Sequence, residues 1–278
     1  MSADRRRRAR VQGGWAAPSA GPRSDRNKPT MPQQPAWTGK TVDQPTEKKF
    51  VFQKPEQEMR QAPEEEVITK MGIYDISSGP SGVSRLRYFP NFIEKMEADV
   101  MFETLYNETP WQQRHDLKGK DGVQYTQPRL TAWYGELPYT YSGVTWEPNR
   151  FWTKLLKRLR KDLEDNTGFV FNSLLCNLYR NEKDSVDWHS DDEKSLGPNP
   201  IIASMSFGDQ RNFELRKKPP PEENGDYTYS KRVKIPLTSG SLLIMEGSTQ
   251  EDWQHRVPKE YHDRNARINL TFRVIHPE

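Results

Sequence analysis

Disulfide cross-linking is excluded at the outset. The 278 residues hold one cysteine, Cys176, so no internal bridge can form, and the chain suits a reducing compartment. Long apolar runs are missing as well. None approaches the roughly 18 residues needed to span a bilayer. Residues 1–30 carry charges without the apolar stretch of a secretory signal. No membrane association is therefore expected, and an intracellular protein of nucleus and cytoplasm is. No internal repeat is visible. A uniformly basic character is also lacking, although the formal charge is +3. Eight of the 42 Lys and Arg fall in residues 1–30 against two of the 39 acids, leaving the tail at +6 and the remainder at −3. Any nucleic-acid binding by the body must then come from local patches.

Aliphatic residues are scarce in residues 1–66, where Pro, Gln, Arg, Lys and Glu dominate. Such a segment cannot bury enough apolar surface to offset chain entropy, and it is expected to be disordered. Its run Arg5-Arg6-Arg7-Arg8-Ala9-Arg10 reads either as a nuclear-import or phosphate-binding patch or as a solvated tail. Lys48-Lys49-Phe50-Val51-Phe52 is its one apolar island, expected to dock on the body rather than on a partner.

Residues 67–278 are expected to form a single domain. Gly72 to Ile76 and Val83 to Tyr88 read as a pair of strands. Glu94 to Asn107 reads as a helix with Ala98, Met101, Phe102 and Leu105 on one side. Trp111 to Tyr125 is polar and turn-like. A second helix is expected from about Asn149 to Asn166, with Trp152, Leu155, Leu156, Leu159 and Leu163 as its apolar stripe and Gly168 as its stop. After Phe169 the pattern changes to period two. Phe171 to Arg180, Ile201 to Phe207, Phe213 to Arg216, Arg232 to Pro236, Ser241 to Met245 and Arg267 to Ile275 are the candidate strands. Helices first and many short strands later point to an α+β, mainly β fold. We expect a double-stranded β-helix, or jelly roll, with helices buttressing one sheet.

The chemistry concentrates in Asp187-Trp188-His189-Ser190-Asp191-Asp192-Glu193. His189-x-Asp191, with His255 far downstream in Gln254-His255-Arg256-Val257-Pro258, has the spacing of a two-histidine, one-carboxylate facial triad. Such a set fills one face of an octahedral ferrous ion and leaves positions open for cosubstrate and dioxygen. The tripeptide alone equally fits a surface loop with a solvated histidine. The last strand is more telling. Alternation puts Arg267, Asn269, Thr271 and Arg273 on one face and Ile268, Leu270 and Phe272 on the other. The apolar face must be core. Two arginines facing a barrel interior would need anionic partners, which a dicarboxylate supplies through bidentate bonds; a wet, half-exposed strand is the alternative. By the same parity Ser173, Leu175, Asn177 and Tyr179 share a face.

These residues carry a family resemblance over roughly residues 70–278. Asn177-Leu178-Tyr179, His189-Ser190-Asp191, Met245-x-Gly247-x-x-Gln250-x-x-Trp253-x-His255-x-x-Pro258 and Arg267-x-Asn269-x-Thr271-x-Arg273, in this order, resemble the AlkB-type dioxygenases that depend on Fe(II) and 2-oxoglutarate. The resemblance implies that His189, Asp191 and His255 hold iron. It implies that Asn177, Leu178, Tyr179, Arg267, Asn269 and Arg273 hold 2-oxoglutarate, with Arg267 on the distal carboxylate and Arg273 nearer the metal. Dioxygen is the third cofactor. The implied reaction is oxidative demethylation of 1-methyladenine and 3-methylcytosine in single-stranded DNA and RNA, in alkylation-damage repair, with release of formaldehyde, succinate and CO2. The alternatives are a protein hydroxylase or a non-catalytic nucleic-acid-binding module on the same fold.

A methylated base must leave its stack to reach such a site. Trp111, Arg129, Trp133, Tyr139 and Tyr141 are the candidates to face it, since aromatics interleaved with Arg suit stacking and phosphate contact. Tyr139 and Tyr141, near Pro138, are expected to be accessible, whereas Trp133 fits a core position equally well. Asp192 and Glu193 would favour the positive charge of the methylated base. The hydrophilic segment Gln112 to Gln127, with only Leu117 and Val123 as isolated apolar side chains, offers no wedge for a duplex; single strands are the expected substrate. Leu175 shares its face with Asn177 and Tyr179 and is a candidate for self-hydroxylation. The tail is expected to engage a repair-complex partner, and the protein to be a monomer.

Overall fold

The computed structural model describes residues 60–277 apart from 116, 119–123 and 142–143. The expectations for residues 1–59 and for Val123 lie outside these residues, as do the side chains of Leu117 and Tyr141.

Among the described residues, two main sheets face each other. The larger has eight strands in the order Gly72–Gly79, Gly82–Phe89, Ser241–Gly247, Ile202–Gly208, Arg267–Arg273, Ser173–Tyr179, Leu130–Gly135 and Gln112–Gln113. The smaller has five, in the order Glu66–Val67, Arg232–Leu237, Arg211–Lys217, Trp253–Val257 and Val186–His189. Side-chain alternation divides the larger sheet into two faces. Leu174, Cys176, Leu178, Ala203, Met205, Phe207, Ile268, Leu270 and Phe272 point to a core shared with the two long helices. Leu86, Tyr88, Ile202, Leu243 and Met245 point the other way, onto Phe213, Leu215, Val233, Ile235 and Trp253 of the smaller sheet. This is the expected jelly roll, buttressed on one sheet.

Parity corrects one expectation. Leu178 is buried in the helix-side core, on the face opposite Asn177 and Tyr179, so its side chain does not reach the sheet interior.

The helices form for the reasons read from their sequences, with shifted ends. Lys95–Glu108 buries Ala98, Met101 and Leu105, one face at helical spacing. Lys154–Thr167 buries Leu156, Leu159 and Leu163. Its start is later than expected because Asn149 pairs with Gly135 through two backbone hydrogen bonds of 2.9 Å. Thr153 then caps the helix, its hydroxyl accepting from the Leu156 amide at 3.2 Å. Gly168 ends it in the left-handed region at φ 75°.

Several strands escaped the periodicity reading: Glu66–Val67, Leu130–Gly135, the hairpin Tyr139–Tyr141 with Val144–Trp146, Val186–His189 and Trp253–Val257. The Trp111 to Tyr125 region also contains short pairs, at Gln112–Gln113, Leu117–Lys118 and Gln124–Tyr125. Most are very short or carry polar site residues where apolar alternation would be expected, and Leu130–Gly135 is buried on both faces and so shows no alternation. Arg211, fully buried, ties two of them in place. Its guanidinium donates to the carbonyls of Asn181 at 3.1 Å, Asp184 at 2.8 Å and Pro258 at 2.5 Å. That bond set joins the loop entering Val186–His189 to the loop leaving Trp253–Val257. No helix among the described residues is long and apolar enough to cross a membrane.

Gly247 closes the Ser241–Gly247 strand at φ 62°, and a Cβ there would lie 2.0 Å from the Val83 carbonyl oxygen. Gly247→Ala is expected to cost about 2–5 kcal/mol, from left-handed strain plus the clash. Gly79→Ala, where a Cβ meets nothing within 4 Å, should cost about 0.5 kcal/mol or less. Urea midpoints of the two variants check the contrast.

Candidate active site at the interior of the jelly roll

The antiparallel pairing of Val186–His189 with Trp253–Val257 sets His189 directly opposite His255. Their ring centroids are 4.2 Å apart. Asp191 follows two residues after His189 and swings beneath it, its Oδ1 lying 3.6 Å from His189 Nε2. One ligand atom from each of the three side chains falls within 4.8 Å of the others. The expected cluster therefore assembles. His255 and Asp191 are buried and His189 is half-buried.

Neighbouring groups orient each ligand atom. The His189 ring uses Nδ1 on the Asp187 carbonyl at 2.7 Å, which turns Nε2 toward the cluster. Phe213 stacks on His255 at 5.2 Å and 27°. The Asp191 amide donates to the Gln250 side-chain oxygen at 2.9 Å, and Ser190 Oγ donates to the Trp253 carbonyl at 2.8 Å. Arg273 donates twice to Asp191 Oδ2, at 3.0 and 2.6 Å. Asp191 Oδ1 is buried and accepts no hydrogen bond among the described residues. A bare buried carboxylate oxygen beside two imidazoles is costly unless a cation completes it.

The electrostatics suit that cation. Burial alone would raise the Asp191 pKa, but Arg273, His255 and His189 together hold it well below the usual carboxylate range. Burial pushes His255 down to about 3, with His189 adding and Asp191 opposing. His189 is also lowered, first by burial. Neutral imidazoles and an ionised carboxylate are the protonation states that ligate metal. Burial would lower Arg273, and Asp191 reverses this and raises it.

Arg267 lies at the other end of the same cavity, which is lined as well by Asn177, Tyr179, Ser204, Asn269 and Thr271. It is 1% exposed. One amino group bonds Ser206 Oγ at 2.8 Å and Asn269 Oδ1 at 2.9 Å, and the Tyr179 ring lies 5.3 Å from the guanidinium carbon. Nε and Nη1 have no partner, and no carboxylate pairs with Arg267 among the described residues. Burial pushes its pKa down to about 10, opposed by Tyr179. The two arginines thus differ. Arg273 has an anionic partner within the chain, whereas Arg267 is a buried cation facing an open cavity. A dicarboxylate with one end near the triad would satisfy Arg267 at its far end. The residues present fit both the metal and the 2-oxo diacid.

The substrate candidates divide. Arg129 is buried in the cavity wall, donating to Asn177 Oδ1 at 2.9 Å and to the Ser185 carbonyl at 3.3 Å. Leu175 lines the same cavity and is 4% exposed. Trp133 is buried and stacks on Tyr139 at 4.7 Å and 18°. The expected accessibility of Tyr139 is not found: it is fully buried, because it stacks on Trp133 and lies opposite Trp146 in its own hairpin. Trp111 is not brought to the cavity. It packs on the helix-side core and donates its indole N–H to the Tyr106 carbonyl at 3.0 Å. Asp192 is exposed. Glu193 is half-buried, and burial with Asp191 nearby raises its carboxyl to about 7.

Sequence reasoning passed over Ser204 and Ser206, which were legible, since alternation in Ile202–Gly208 puts both on the interior face. Gln250 stood in the motif that carries the resemblance but without a role, because only the fold brings its side-chain oxygen to the Asp191 amide.

Comparison with known proteins agrees with this geometry. Residues 85–273 match the family model described as the 2OG-Fe(II) oxygenase superfamily. The chain is 59% identical to the Bos taurus "Alpha-ketoglutarate-dependent dioxygenase alkB homolog 3" across 99% of this chain and 97% of that one. The Homo sapiens protein of the same name is 58% identical over the same shares. The Homo sapiens "DNA oxidative demethylase ALKBH2" is 37% identical across 65% of this chain and 70% of that one. The chain belongs to the 2OG-Fe(II) oxygenase superfamily, within its AlkB branch of Fe(II)- and 2-oxoglutarate-dependent dioxygenases.

Proposed function

We propose that the protein oxidatively demethylates 1-methyladenine and 3-methylcytosine in single-stranded DNA and RNA, as an alkylation-repair enzyme of nucleus and cytoplasm. The observation that carries the reading is a fully buried Arg267 that meets only neutral groups among the described residues, in one cavity with the His189, Asp191 and His255 cluster. The relative named a DNA oxidative demethylase supports the choice of substrate.

When bound, Fe(II) and 2-oxoglutarate supply the oxidising chemistry, which couples loss of CO2 and formation of succinate to hydroxylation of an N-methyl group. This chain's residues do the rest. His189, Asp191 and His255 would hold iron. Arg267 would hold the distal carboxylate of the cosubstrate, in a cavity that Asn177, Tyr179, Asn269 and Thr271 line. Arg273 holds Asp191 by one carboxylate oxygen. Trp133 and Tyr139 stack behind Leu175, which lines the cavity. Glu193 places a carboxyl close to the triad, where it favours a cationic base. The hydroxymethylated nitrogen then releases formaldehyde and the base is restored.

His189→Ala is expected to abolish substrate-dependent succinate release while circular dichroism stays unchanged. Release stimulated by a protein extract and not by methylated oligonucleotide would favour a protein hydroxylase instead. Unimpaired turnover in the variant would remove the ligand assignment.

The strand preference is read from the same methylated oligonucleotide with and without its complement. The single strand should be demethylated faster, and faster repair of the duplex would refute the preference. Leu175, lining the cavity, should gain the mass of one oxygen atom during turnover without nucleic acid. Peptide mass spectrometry showing it unmodified would remove that expectation.

A further inference from the structure

The interior of the smaller sheet builds the site, whereas its outer face has no role in the chemistry above. On that face the chain stacks four planar groups. The Arg216 guanidinium carbon lies 3.6 Å from the Tyr227 ring centroid and 4.3 Å from that of Trp188. Arg256 lies 4.4 Å from the same Trp188 ring. Trp188 sits between Asp187 and His189, so on one edge strand the imidazole turns in toward the cluster and the indole turns out toward two guanidinium groups.

The charges on this face are unbalanced. Arg216 and Arg232 are directly opposite partners on adjacent strands. Like charges in that position repel and cost stability. Neither has a carboxylate within ion-pair distance among the described residues. Arg256 does, at 2.7 Å from Glu214. Arg216 donates instead to the neutral Gln254 side-chain oxygen, at 3.0 and 2.7 Å. Asp187 acts on Arg216 only from beyond ion-pair distance, and it accepts from the Trp188 amide. Two uncompensated guanidinium groups beside stacked aromatics match the chemistry of single-stranded nucleic acid, whose phosphates and base faces need those two partners in alternation.

We propose that this outer face, centred on Arg216, Arg232 and Trp188, is a second binding surface that holds the substrate strand away from the methylated base. The proposal rests on the demethylase reading and deepens it. Sheet order sets the distance. Arg232 is three strands from the edge strand bearing His189, about 14 Å at ordinary strand spacing. A strand held here extends past the nucleotides that flank the reacting base. Affinity should therefore depend on oligonucleotide length, and the added affinity should be electrostatic. An acidic peptide would answer the charge but leave Trp188 and Tyr227 without a role.

The test compares the wild type with Arg216→Gln/Arg232→Gln on two substrates: a single-stranded oligonucleotide of roughly twenty nucleotides with a central 3-methylcytosine, and the trinucleotide centred on the same base. Loss of two phosphate contacts should raise KM for the long strand by about 10-fold and reduce the slope of log KM against log salt by about 1.4. Its kcat should not change, nor should either constant on the trinucleotide. Arg216→Lys/Arg232→Lys should restore the salt slope, which a merely structural role would not predict. An unchanged long-strand KM and slope in the Gln variant, with both substrates still turned over, overturns the surface and leaves the demethylase reading intact. Absence of wild-type turnover on either substrate overturns both. Unchanged nucleic-acid constants together with lost binding of a polyglutamate peptide overturn it in favour of an acidic protein partner.

Discussion

The site depends on how a single buried carboxylate is shared. Asp191 gives one oxygen to Arg273 and keeps the other bare beside two imidazoles. A buried ion pair is poor as a stabilising device, because desolvating both charges offsets most of their attraction. Its value here is positional. The double hydrogen bond from Arg273 fixes the carboxylate plane, the Gln250 oxygen fixes the Asp191 backbone, and the Asp187 carbonyl fixes the His189 ring. With rotation removed, three ligand atoms are held within 4.8 Å of one another.

The same economy explains the two arginines of the last strand. They sit on one face of Arg267–Arg273, six residues apart, and alternation would give them equivalent surroundings. They do not have them. The strand runs from the closed end of the cavity to the cluster, so Arg273 meets Asp191 and Arg267 meets only neutral groups. A guanidinium buried among hydroxyls and an amide is tolerable chiefly when a ligand supplies the missing anion. That asymmetry gives the cavity a direction.

Aromatic residues took two roles that composition alone does not separate. Trp133 and Tyr139 stack on each other in a buried cluster with Leu175, and the burial of Tyr139 shows that a proline-bearing turn does not guarantee exposure. Trp111 is spent on the helix-side core. Trp188 instead faces outward between two arginines, one residue from a ligand. Both faces of the smaller sheet thus carry ordered polar chemistry, and the thickness of one strand separates them.

Both long helices, the longer strands of the second half and the parity of their side chains were legible in the chain, whereas the short strands and those bearing site residues were not. Period-two alternation in Arg267–Arg273 and Ser173–Tyr179 assigned Arg267, Asn269, Arg273, Asn177 and Tyr179 to one interior, and the same rule should have excluded Leu178. Helical spacing assigned the leucines of Lys154–Thr167 to a core. The His189-x-Asp191 tripeptide marked a ligand pair because both residues are local to one strand end. Contacts that cross between segments came from the fold: His255 stands opposite His189, Gln250 reaches the Asp191 amide, Arg211 ties three loop carbonyls together, and Arg273 rather than Arg267 meets an acid. Local alternation fixes which way a side chain points. Strand order and register fix what it points at, and those are set by packing among residues far apart in the chain.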